Sequence, residues 1–254
     1  MTDTILSDLA DQHAELAGLL DGLDATESAR PTPCEGWSVA DVVLHLAQTD
    51  EMALGSATGR FAETLEALAG DLRFAADVDE GADRLVAAQR DLGPDRIVER
   101  WALGTAALRA AFAAIDPSER LTWVAGQLSA RTLATTRLAE TWIHTGDVAT
   151  ALDRDLAPTP RLRHIARLAW RTLPYAFTQA GLELTGPVAL RLVGPDGEQW
   201  NFEPNDEGGP ATVIRGPALD LCRVAARRVD PSTTALLGTG PDAEHALRLI
   251  RTYA

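Results

Sequence analysis

Apolar side chains recur at intervals of three and four residues near the N-terminus, which is the spacing of an amphipathic helix. Ile5, Leu9 and Leu16 follow this spacing and predict a first helix. A segment broken by proline and glycine comes next, ATESARPTPCEGW. Ser38 and Asp41 then form an S-x-x-D capping signal. The pattern therefore predicts a turn-rich linker and a second helix that begins at Ser38.

The helical pattern continues to about residue 180. Residues 60–90 contain shorter, charge-rich helical pieces. Longer helices are predicted over 94–115, about 129–152 and about 160–180. Because long helices joined by short connections pack side by side, this part of the chain is predicted to form an antiparallel bundle.

The pattern changes after Gly181. The segments PVALRLV, EQWNFEP and ATVIRG alternate apolar and polar residues, and GPDGE between the first two is typical of a hairpin turn. Two helical segments follow, PALDLCRVAARR and DAEHALRLIRTY. The sequence thus predicts an α+β protein of two domains, a helical bundle over 1–180 and a small α+β domain over 181–254.

The composition excludes several classes of function. The formal net charge is −14, so no nucleic-acid partner is expected, because such a partner requires a basic face. All 23 basic residues are arginine, which excludes a lysine Schiff base. Cys34 and Cys222 form no C-x-x-C pair, which favours a reducing cytoplasm. No apolar run approaches the roughly 18 residues of a membrane span, so no membrane partner is expected.

One predicted helix carries an unusual polar series, in the segment LAETWIHTGD. Glu140 and His144 are four residues apart, so they share a helix face and are able to converge on one metal ion. His45, on another helix, is a candidate third ligand, and Asp147 is a candidate hydrogen-bond partner or proton carrier. The same spacing also fits a solvated Glu–His pair, and His45 also fits a hydrogen-bonded core histidine. Spacing alone leaves these alternatives open.

Two segments together resemble a known family. TPCEGWSVADVVLHLAQTD at 32–50 is similar to the N-terminal signature of the mycothiol-dependent maleylpyruvate isomerase family, and LAETWIHTGDVATAL at 138–152 resembles that family's E-x-x-x-H-x-x-D helix. The resemblance implies a DinB-like four-helix bundle followed by a sterol-carrier-like α+β domain. It also implies that His45, Glu140 and His144 are metal ligands, with zinc the usual ion.

The resemblance further implies an enzyme that uses mycothiol, a low-molecular-weight thiol. A metal-bound thiolate would attack an electrophilic small molecule, giving either an isomerisation or an S-transfer. A dicarboxylate substrate would need a fixed cation, and Arg223 is the candidate, whereas Arg227 and Arg228 fit a solvated helix face. For Cys34, a thiol of lowered pKa ahead of a helix is one interpretation, and packing of the turn is the favoured one.

Two other functions use the same residues. A metal hydrolase would attack an ester or amide with metal-bound hydroxide. A non-catalytic protein would bind a small molecule in its second domain and use the metal only to brace the bundle. Thiol dependence of turnover separates the first of these from the isomerase or transferase.

Overall fold

The computed structural model describes residues 4–69, 78–124, 126–204 and 209–252. The described helices are α1 Ile5–Leu20, α2 Ala25–Ser28, α3 Val39–Ala57, α4 Phe61–Ala69, α5 Val78–Gln89, α6 Pro94–Ala114, α7 Ala130–Ala151, α8 Leu162–Gln179, α9 Ala218–Ala225 and α10 Ala243–Leu249. The strands are β1 Arg120–Trp123, β2 Gly126–Ser129, β3 Val188–Val193, β4 Gln199–Phe202, β5 Thr212–Pro217 and β6 Leu237–Thr239. The fold is α+β, as predicted.

The chain divides into two compact units, Met1–Leu156 and Ala157–Ala254. In the first unit, four long helices pack in a ring, in which α1 contacts α6 and α7, and α3 contacts the same two helices. Their apolar stripes close over fully buried residues such as Leu9, Val42 and Leu138. The predicted helical bundle is confirmed. It also carries a short antiparallel hairpin, β1–β2, that the sequence pattern did not predict.

The predicted start of α3 is confirmed by its capping contacts. The Ser38 side chain accepts a hydrogen bond from the Asp41 backbone N–H, and Asp41 Oδ2 accepts one from the Ser38 backbone N–H at 2.9 Å. This reciprocal capping box satisfies two of the N–H groups that a helix start leaves without partners. Arg90 donates to the other oxygen of Asp41 at 2.9 Å. The first turn of α3 is therefore stabilised both by the capping box and by Arg90.

The second unit contains a four-stranded sheet with strand order β4-β3-β5-β6. β3 and β4 form the predicted antiparallel hairpin, and β3 and β5 run parallel. At the hairpin turn Gly197 has φ 83°, a left-handed conformation that glycine adopts without steric strain. Helix α9 follows β5 as predicted, and α10 follows β6, a short strand that the sequence pattern did not predict.

The structure corrects the predicted boundary between the domains. The sequence pattern predicts a boundary between residues 180 and 181, which places helix α8 in the bundle. In the structure α8 belongs to the second unit. Its apolar face packs against α9, α10 and β4. The division therefore falls between Leu156 and Ala157. None of the described helices combines the length and the hydropathy needed to cross a bilayer.

Candidate metal centre

Two neighbouring helices of the bundle carry the three predicted ligands. His45 lies on α3, two turns after the Ser38 cap, and Glu140 and His144 lie one turn apart on α7. The side chains of all three are largely withdrawn from solvent, with 12% of His45, 13% of Glu140 and 7% of His144 exposed. Because α3 packs directly on α7, residues almost a hundred positions apart in sequence reach the same point in space.

The donor atoms of these residues converge. Glu140 Oε2 lies 3.8 Å from Nε2 of His45 and 3.8 Å from Nε2 of His144. All three donor atoms lie within 4.8 Å of one another, and the two imidazole rings meet nearly edge to face, with centroids 5.1 Å apart. Donors bound tetrahedrally at about 2.1 Å from an ion are about 3.4 Å from each other. Small side-chain movements would therefore seat a divalent ion between these atoms.

Electrostatics favour the protonation states that bind metal. The pKa of His45 lies below its ordinary value because burial disfavours the charged imidazolium, an effect that the contact with Glu140 only partly offsets. Burial raises the pKa of Glu140, but its interactions with His45, His144 and Arg137 outweigh burial and lower the pKa overall. A neutral imidazole and an ionised carboxylate are the forms in which these side chains coordinate metals. The residues present thus fit a divalent ion.

Asp147 contacts the opposite edge of the His144 ring. Its Oδ2 lies 2.9 Å from Nδ1 of His144, and both side chains are buried. Because an ionised carboxylate only accepts hydrogen bonds, Nδ1 carries the proton and Nε2 presents its lone pair toward Glu140. This carboxylate–histidine arrangement is a common way of orienting a histidine that binds a metal. The predicted contact of Asp147 with a candidate ligand is present.

Cys34 is the residue that sequence reasoning undervalued. It packs against the core, as expected. However, its Sγ also lies 3.2 Å from Asp147 Oδ2 and 3.8 Å from Nδ1 of His144. Cys34, His144 and Asp147 form a second group with the spacing of metal ligands. The available signal was the position of the cysteine, four residues before the helix cap that leads to His45.

Trp37 covers the histidines. Its ring centroid is 5.0 Å from that of His45 and 6.4 Å from that of His144. Its indole Nε1–H donates to Asp83 Oδ1 at 2.7 Å, which fixes the ring over the site. Trp37 also packs against the bundle core, so it contributes to packing as well as covering the histidines.

Arg223, the remaining predicted site residue, belongs to the second unit. It lies in the last turn of α9, and its side chain is exposed. Its catalytic role stays a prediction that rests on the family resemblance.

Known proteins match the chain along nearly its whole length. Uncharacterized proteins MT0041 and Rv0036c, from two strains of Mycobacterium tuberculosis, are each 34% identical over 252 residues, which is 98% of this chain and 95% of each relative. Two solved structures share the fold. One is a histidine-to-alanine mutant of the mycothiol-dependent maleylpyruvate isomerase (TM-score 0.61, 18% identity, 94% of each chain). The other is a mycothiol-dependent maleylpyruvate isomerase (TM-score 0.60, 19% identity, 92% of this chain and 91% of that one).

Two family models account for both units. The mycothiol maleylpyruvate isomerase N-terminal domain matches residues 9–149, which include all three candidate ligands. The MDMPI C-terminal domain matches residues 160–247, so its match begins close to the division seen in the structure. The chain therefore belongs to the mycothiol maleylpyruvate isomerase family.

Proposed function

We propose that the protein is a divalent-metal-dependent enzyme in which His45, Glu140 and His144 hold the ion. The observation that carries this proposal is the convergence of two Nε2 atoms and one carboxylate oxygen, within 4.8 Å of one another and largely buried, where α3 packs on α7. Three protein ligands leave a coordination position open, which is typical of catalytic rather than structural sites. Zinc suits such a set, although iron, nickel and manganese accept the same ligands.

The ion would lower the pKa of a thiol bound at the open position and so supply a nucleophile at neutral pH. The protein's own residues set the geometry. Asp147 holds the tautomer of His144, and Trp37 shields the two histidines from water. Glu140 contributes one negative charge, which partly neutralises a divalent cation in a site of low dielectric.

Family membership supports mycothiol as the thiol and an electrophilic small molecule as the substrate. In the proposed reaction, the thiolate sulfur forms a C–S bond to an activated cis double bond. Rotation about the resulting single bond and cleavage of the C–S bond give the trans isomer and return the thiolate. If the adduct is instead protonated and released, the thiol is consumed and the enzyme is an S-transferase. Arg223 remains the proposed cation for a carboxylate of the substrate.

Turnover with and without thiol tests the proposal. We expect the metal-loaded protein to convert maleylpyruvate or a related unsaturated acid only when mycothiol is present. Mycothiol should be recovered unchanged for an isomerase and consumed one for one for a transferase. His144→Ala should abolish turnover while its circular dichroism stays helical, and the matched variant His245→Ala, at an exposed position on α10, should retain it.

Three outcomes would contradict the proposal. Turnover of esters or amides without thiol would favour a metal hydrolase. Full turnover by His144→Ala would show that the site is wrongly assigned. Ligand binding that survives metal removal, with only stability reduced, would favour a binding protein braced by its metal.

A further inference from the structure

Two polar side chains, Asp147 and Cys34, lie at the Nδ1 edge of the His144 ring. Asp147 Oδ2 lies 2.9 Å from Nδ1, and the same oxygen lies 3.2 Å from Sγ of Cys34. Asp147 is only 2% exposed and His144 only 6%, so little water competes for these contacts. A thiol in this place donates its S–H to the carboxylate, because an ionised carboxylate only accepts.

A closed turn fixes the position of Cys34. The backbone N–H of Thr32 donates to the carbonyl of Trp37 at 2.9 Å, and the Trp37 N–H donates to the carbonyl of Cys34 at 3.0 Å. The Cys34 N–H donates to Thr32 Oγ1 at 3.2 Å. Gly36 has φ 76°, a conformation that an L-residue adopts only with strain. The thiol is therefore held against α7 by a segment outside both helices that carry the candidate ligands.

The geometry separates Cys34 from the three candidate ligands. Glu140 contacts Nε2 of His144, whereas Cys34 and Asp147 contact Nδ1, and these two nitrogens face different sides of the imidazole ring. An ion held by His45, Glu140 and Nε2 of His144 would therefore be separated from the thiol by the imidazole ring of His144.

We propose that Cys34 is a positioning residue for the metal site. Its S–H holds the Asp147 carboxylate in the orientation that accepts the Nδ1–H of His144, and this keeps Nε2 directed at the ion. The inference rests on the proposed metal site and adds the thiol of Cys34 to the contact between Asp147 and His144. Residues that orient a metal-ligating side chain commonly change the metal affinity by about 10- to 100-fold when they are removed.

Cobalt(II) binding to the full-length protein tests this proposal. Its dissociation constant is measured by competition with a chromophoric chelator for wild type, Cys34→Ala and Cys34→Ser. Cys222→Ala is the matched control, since Cys222 is a buried cysteine of the second unit. We expect Cys34→Ala to bind cobalt about 10-fold more weakly. Cys34→Ser, which keeps a donor, should stay near the wild-type value, and so should Cys222→Ala.

A purely structural role for Cys34 gives a different pattern. A structural role would lower the melting temperature of the metal-free Cys34→Ala and Cys34→Ser proteins, but the two variants would bind cobalt with the same affinity. That result would overturn the proposal. If Cys34→Ala does not fold, Cys34→Val takes its place, because valine restores apolar volume without a donor. Equal affinity in wild type and the donor-less variant would also overturn it.

The absorption spectrum of the cobalt protein provides the second readout. We expect no thiolate-to-cobalt charge-transfer band in the wild type. A band that disappears in Cys34→Ala would make Cys34 a ligand, in the group with His144 and Asp147, and would overturn the positioning role. Failure of the wild type to bind cobalt would contradict both this inference and the proposed function, whereas normal binding unaffected by Cys34→Ala would contradict this inference alone.

Discussion

The ion pair of Arg137 with Asp50 lies in the centre of the bundle, and its disruption should strongly destabilise the protein. Arg137 Nε donates to Asp50 Oδ1 at 2.8 Å, and the two side chains are 2% and 0% exposed. A second donor of the guanidinium reaches Thr49 Oγ1 at 2.8 Å. Arg137→Met keeps most of the buried volume but leaves the Asp50 carboxylate buried without its cation.

Removing one partner of a buried ion pair typically costs about 3–5 kcal/mol, because the remaining charge has no compensation. For a unit of this size that corresponds to a fall in melting temperature of about 6–20 °C. Replacing both partners, in Asp50→Leu/Arg137→Met, removes the stranded charge, so the double variant should be markedly more stable than Arg137→Met alone.

Urea unfolding of the metal-free protein gives the free energies for this cycle. The matched control is Arg30→Met, because Arg30 and Asp153 pair at the same 2.8 Å within the same unit but are 41% and 79% exposed. That exposed pair should contribute less than about 1 kcal/mol. If Arg137→Met costs no more than Arg30→Met, or if the double variant is no more stable than Arg137→Met, the argument from desolvation is wrong.

Three further predictions concern pH, packing and thiol reactivity. Burial lowers the pKa of His13 from 6.5 to about 4, so the unfolded chain takes up the proton first as the pH falls. The stability due to neutral His13 is thus complete above pH 6.5, and about 3 kcal/mol of it is lost as the pH falls from 6.5 to about 4. In urea unfolding across this pH range, His13→Gln should lose about 3 kcal/mol less stability than wild type does. In α3, a Cβ at Gly55 would lie 2.8 Å from Cβ of Thr64, so Gly55→Ala should destabilise the protein by about 1–3 kcal/mol in thermal melts. Gly104 on α6 has open space around its Cβ position, so Gly104→Ala should be neutral or stabilising by up to about 1 kcal/mol. Burial raises the pKa of the Cys222 thiol, so mass spectrometry should find it unalkylated by iodoacetamide until the protein unfolds; rapid labelling in native buffer would contradict its burial.

Local signals in the sequence predicted most of the helices and two of the three candidate ligands. The capping box at Ser38 and Asp41 is a local contact, and the turn before β4 is equally local. The i, i+4 spacing placed Glu140 and His144 on one face without any tertiary information. Joining His45 to them required the family resemblance, since a single helix pattern does not specify which helix it packs against.

Features that depend on tertiary packing were not accessible in this way. The pattern of helix α8 would be amphipathic in either unit, so it does not reveal that the helix packs against α9. The strands β1 and β2 are four residues each, too short for alternation to stand out. Asp50 and Arg137 are charged residues of the kind that usually lie on a solvated helix face, yet both are buried. The contact of Cys34 with Asp147 joins residues 113 positions apart in sequence.

Metal content, measured by elemental mass spectrometry, shows whether His45, Glu140 and His144 hold an ion. The comparison uses purified wild type, His45→Ala, Glu140→Ala and the control His245→Ala. We expect about one divalent ion per chain in wild type and in the control, and its loss from both ligand variants although they remain folded. Folded wild-type protein that carries no metal and does not retain added zinc would contradict the proposed metal site, and Glu140 and His144 would then form only a polar helix face.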